Sequence, residues 1–218
     1  MKSQNDLRFR VGHIHQKNNF NSSRLEMIAS TKDAIQKPLG GLFLMIIFTA
    51  FWTVLSEYSL DNSDHRIVGV LFGIIILVFI YFYLKFAFIK KELPESHIEN
   101  KSEDDRKKAK RFYVILGLEG LSIFVAKNIL LNINLNELFI PCMALIVGIH
   151  FFALSKVFER KFDNYVGLWT CTIAIIGMVL ISQKITAEHF AIAIVGMGCA
   201  ISTIAYGTKI IIALKQIT

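Results

Sequence analysis

The chain has 218 residues, of which 54% are hydrophobic, above the ~45–50% usual for a soluble domain. Six spanning helices of ~20 residues require about 120 apolar-dominated positions, which is what this composition supplies, and the mean hydropathy is +0.50. Three Cys make no secreted disulfide framework, the hydrophobicity excludes a disordered chain, and a net charge of +7 must be explained by where the charges fall.

Residues 1–36 are polar and contain no apolar h-region, so no cleavable signal peptide is expected and the first span serves as its own insertion signal. Ser23-Arg24-Leu25-Glu26 has the form of a capping box, and Leu25, Ile28 and Ile35 follow at helical spacing. With Arg24 and Lys32 placed for headgroups, this predicts a short cytoplasmic amphipathic helix on the inner leaflet, leading to Pro38. His13 and His15 form a lone H-x-H, too few ligands for a closed zinc site.

From there the chain divides by uncharged runs, because a charge at the bilayer centre costs ~2.5–3.5 kcal/mol on insertion scales. The runs predict spans at about 38–57, 67–88, 112–131, 138–156, 164–183 and 189–212, within a membrane domain of residues 37–218. Each is close to the ~20 residues that a 1.5 Å rise needs to cross ~30 Å of hydrocarbon. The charged loop from Lys90 to Arg111 pairs Glu103 with Lys107 and Asp104 with Lys108 at i,i+4, which reads as a solvated helical extension into span three. The predicted architecture is an all-α, six-transmembrane-helix bundle.

Orientation follows from the basic residues. Of the 24 Lys and Arg, 21 lie before span one, between spans two and three, between spans four and five, or at the C-terminal end. Only Arg66, Lys127 and Lys184 fall on the other side. Basic residues accumulate on the cytoplasmic side, so both termini are expected in the cytoplasm. The same split accounts for the net charge: these residues set topology and meet anionic headgroups, and no nucleic-acid partner is expected.

Inside the spans, only Glu119 and His150 are ionisable and far from an end. Intramembrane ionisable residues are costly and face a bundle interior or a wet cavity, which makes this pair the candidate polar site. Both lie roughly 8–11 Å above the inner boundary at 1.5 Å per residue, on consecutive spans, so they are expected to meet. Such a pair can share a proton near neutral pH, because an ordinary imidazole titrates near ~6.5. The plainer alternative is a packing pair without turnover. Glu57, Asp61 and Asp64 make the first outer loop acidic, read as a solvated rim.

Small residues recur at helical spacing and mark close helix packing: Gly69 and Gly73 on span two, Gly167 with Cys171 and Ala174 on span five, and Gly196, Ala200, Thr203 and Gly207 on span six. Cys142, Cys171 and Cys199 fall within spans and read as small apolar packing residues. Pro141 and Gly148 are placed to loosen span four locally. The chain holds no H-E-x-x-H, G-x-S-x-G or phosphate-loop G-K-[ST], so no catalytic residues, cofactor or metal are assigned.

The segment Pro141-Cys-Met-Ala-Leu-Ile-Val-Gly-Ile-His150-Phe-Phe-Ala-Leu-Ser-Lys-Val-Phe158 resembles one from an uncharacterised family of small multi-span bacterial integral membrane proteins, with an I-V-G-x-H-F core. Phe152-Ala153 stands where that pattern has Phe-Pro. The resemblance implies a bacterial cytoplasmic membrane and an interest in His150, and carries over no activity. The functional expectation is a small permease or an ion- or proton-coupled membrane protein, with the lipid bilayer as partner and a small solute or ion as cargo. The alternative is a non-catalytic sensor or assembly subunit whose Glu119–His150 pair is structural.

Overall fold

A computed structural model describes residues 34–61, 66–93 and 103–217. The expected amphipathic helix, the His13/His15 pair and Asp64 lie outside the described residues. Those residues form six helices and no strand: α1 (Ala34–Leu60), α2 (Ile67–Glu92), α3 (Glu103–Asn132), α4 (Phe139–Phe158), α5 (Lys161–Ser182) and α6 (Glu188–Ile217), with one 3-10 turn, Asn136–Leu138, before α4. All six are long and apolar enough to cross a membrane.

The helices outrun the uncharged runs at several ends, since charged residues at a span end cost little once they reach water or headgroups. α3 starts at Glu103 and carries the charged extension unbroken into the apolar run. Lys107 meets Glu103 at 2.9 Å and Lys108 meets Asp104 at 3.0 Å, both exposed i,i+4 pairs worth a few tenths of a kcal/mol (~0.2–0.5). Lys37 of α1 reaches Asp105 at 3.0 Å, which gathers the starts of α1 and α3 at one end of the bundle. Among the described residues, that end holds most of the basic side chains, and it is called the basic end below. Within the described part of α1, Ile35 is fully buried with Leu39, Phe86 and Leu214.

α6 is the central helix, and its small side chains are the reason. Ala191, Ala193, Gly196, Gly198, Ala200 and Ser202 are all buried along it. No hydrophobic effect drives helices together in lipid, so small residues that allow close backbone approach decide which helix goes inside. One face packs on α1, where Gly196 lies under Ser56 and Trp52, and on α2, where Gly207 lies under Phe79. Another face packs on α5, where Gly198 meets Ile173. α3 lies at the edge against α4 and buries none of its residues fully.

α4 and α5 are joined by Glu159 and Arg160. Glu159 is left-handed (φ 56°) and its N–H bonds back to Ser155, which lets the chain reverse in two residues. The two helices cross at Gly148 and Gly167: a Cβ on Gly167 would meet the Gly148 carbonyl at 2.8 Å and the Phe151 Cβ at 3.2 Å. Gly148 is therefore a crossing point and not a loosened turn. α4 runs unbroken, with Pro141 in its first turn, where its missing N–H is not needed.

Candidate polar site in the bundle

α3 presents one seam to the bundle. Phe112, Ile115, Glu119, Ile123, Ala126 and Leu130 are half-buried at spacings of three and four, whereas the residues between them are exposed. Glu119 falls on that seam, the only face of α3 where a carboxyl avoids lipid. On α4, Val147, His150 and Phe158 turn toward α3 while Gly148 and Phe151 turn toward α5. Phe112 and Phe158 close the basic side of this contact, with ring centroids 6.1 Å apart.

His150 Nδ1 and Glu119 Oε2 are 2.8 Å apart, and the side chains are only 10% and 12% exposed. The approach is close without the direction of a straight N–H···O hydrogen bond, so Nδ1 has no directional partner among the described residues. What holds the pair is enclosure and charge: each group, left alone, would carry the desolvation cost of an unpaired buried polar group, ~1–3 kcal/mol or more.

A second polar group is buried in the bundle, and sequence reading missed it. Asp163, in the first turn of α5, is 1% exposed, and neither of its carboxylate oxygens has a hydrogen-bond partner among the described residues. The charged and polar groups that act on it are Tyr206 and Lys209 of α6, Arg160 of the α4–α5 turn and His150 of α4. Arg160 donates to the Tyr206 hydroxyl at 3.2 Å, and Lys209 lies 4.1 Å from the Phe162 ring centroid. Asp163 was overlooked because it sits one residue before an uncharged run. The signal was present: the face of Gly167 and Thr170, taken back one turn, reaches Asp163.

The remaining expected residues divide. Gly167, Gly196 and Gly207 have neighbours where a Cβ would stand, and Ala200 is fully buried beside Trp52 and Ala144. Gly73 differs: no heavy atom lies within 4 Å of where its Cβ would sit. It opens onto a cavity of about 580 Å³ between α1 and α2, lined also by Thr53, Glu57, Asp61 and Arg66. Gly69 packs against a polar group. Its N–H donates to Glu57 Oε1, so Glu57 satisfies a first-turn donor of α2 instead of standing as a solvated rim acid. Asp61, left-handed at φ 46°, lines the same cavity.

Buried hydroxyls tie α6 to its neighbours. Thr49 and Thr203 share a hydrogen bond of 2.8 Å between α1 and α6, and Thr170 donates to Ser202 at 3.2 Å between α5 and α6. Trp169 Nε1 donates to the Gly198 carbonyl at 2.9 Å. Cys142, Cys171 and Cys199 are free thiols, and among the described residues no group of three or more His, Cys, Asp or Glu is placed to hold a metal ion.

Fold and site together define an all-α bundle of six helices, of membrane-spanning length and apolarity, with an enclosed carboxyl–imidazole pair. Comparison with protein-family models, curated proteins and solved structures found no match to this chain.

Proposed function

We propose that this is a proton- or ion-coupled membrane protein, a small permease, in which Glu119 and His150 hold the coupling proton. The observation that carries the reading is their 2.8 Å approach inside a bundle of six apolar helices. An enclosed carboxyl–imidazole pair has two states, one proton more or less, and neither is free to trade its charge for hydration. A change of protonation therefore alters the force between α3 and α4, the helix against which the α3 seam packs. The charge asymmetry supports both termini inside, and the resemblance around His150 supports a bacterial cytoplasmic membrane.

The test uses the purified full chain in sealed vesicles carrying an internal pH dye, with a pH step imposed outside. Proton uptake above that of empty vesicles, reduced in both Glu119→Gln and His150→Gln, is the expected result. Enclosure also favours a second reading, a sensor or assembly subunit held together by this pair. Uptake equal to that of empty vesicles, with equal loss of folded protein in both variants, would establish that reading instead.

A further inference from the structure

We propose that Asp163 is a proton-binding site at the basic end of the bundle, exchanging protons through Tyr206 and standing between that end and His150. Three observations converge on it. Asp163 is 1% exposed, and neither oxygen has a hydrogen-bond partner among the described residues. An ionised carboxylate so placed carries a cost of several kcal/mol that a bound proton removes.

The second observation is the state of Tyr206. Arg160 has only donors, so its contact of 3.2 Å makes the Tyr206 oxygen the acceptor and leaves the phenolic hydrogen free to be donated. Tyr206 is among the polar groups that act on Asp163, without a hydrogen bond to either oxygen in this arrangement. Arg160 and Lys209 are exposed, and Tyr206 is half-buried, so the exchange route starts at the surface.

The third is the α4–α5 crossing. Gly167 lies one turn beyond Asp163, and its partner Gly148 lies two residues before His150. The tight crossing thus carries Asp163 and His150 on adjoining turns of two packed helices, with Glu119 behind His150. The charged and polar groups that act on Asp163 are His150 from α4, Arg160 from the turn, and Tyr206 and Lys209 from α6. A transfer is balanced without a co-reactant. A proton entering from the basic end reaches Asp163, the Asp163 O–H breaks as a neutral His150 gains N–H, and the carboxylate is reprotonated from the same end.

As a delivery route, this rests on Glu119–His150 being the proton-holding pair; as a site, it stands apart. Infrared difference spectra of the full chain in lipid, taken across a pH step, read protonated carboxyls through their C=O stretch. A titrating carboxyl band is expected that Asp163→Asn removes and Glu119→Gln retains. The same band undiminished in a folded Asp163→Asn protein overturns the site. Tyr206→Phe and Arg160→Gln, which keep Asp163, are expected to move the band's midpoint. A midpoint unmoved in both overturns the route through Tyr206. In the vesicle assay, Asp163→Asn is expected to slow proton uptake by ~10²-fold, the low end for a positioned proton-transfer group. Uptake at the wild-type rate in that variant overturns delivery. Should Glu119→Gln leave uptake unchanged while the Asp163 band behaves as expected, the pair's role fails and the site survives.

Discussion

At the scale of single residues, the cost of isolation decides what the polar groups do. Glu119 and His150 are enclosed to about one-tenth exposure and meet at 2.8 Å, so an apolar replacement of either strands the other. Glu119→Leu and His150→Phe are each expected to lower stability in detergent by ~1–3 kcal/mol. The double variant is expected to lose less than the sum, because no buried polar group is then left unpaired. Thermal unfolding in a double-mutant cycle measures this, and strict additivity would mean that the two side chains do not interact. The buried hydroxyl pair is a milder case. Thr49→Val with Thr203→Val removes both partners at once and is expected to cost about 0.6 kcal/mol, the usual worth of such a bond between membrane helices.

Between elements, backbone proximity sets the order of helices. The α4–α5 crossing leaves no room at Gly148 or Gly167, and a side chain there must push two backbones apart. Gly167→Val is expected to cost ~1–3 kcal/mol through overpacking, and to weaken proton uptake as well, because the same crossing positions His150. Gly73→Ala is the contrasting test: it faces the open cavity between α1 and α2, and its effect is expected within ±0.5 kcal/mol. If unfolding midpoints show the two substitutions to be equally costly, the crossing is not as tight as described. α2 also leans on α1 for its cap. Glu57→Gln keeps an acceptor for the Gly69 N–H and is expected to be tolerated, whereas Glu57→Ala orphans that donor.

For the whole molecule, the charge distribution and the helix ends point the same way. Lys37 of α1, Asp105 of α3, Arg160 of the α4–α5 turn and Lys215 of α6 gather at one end, which makes it the expected cytoplasmic face. A reporter joined after Thr218 is expected to read as cytoplasmic and one inserted at Asn62 as external; the reverse result from either would refute the orientation. The six helices of spanning length and the approach of Glu119 to His150 were legible in the chain. Charge is excluded from hydrocarbon whatever the packing, and two stranded ionisable groups on consecutive helices have few other partners. The small-residue stripes were visible too, but their partners were not. That α6 goes to the centre, that Gly148 faces Gly167 while Gly73 faces a cavity, and that Glu57 caps α2 depend on how the helices rotate about their axes, and apolar residues on every side leave rotation unmarked. Asp163 shows the limit most plainly. One residue outside an uncharged run, it reads as a loop acid, and only the approach of α4 and α6 around the first turn of α5 removes it from water and makes its charge costly.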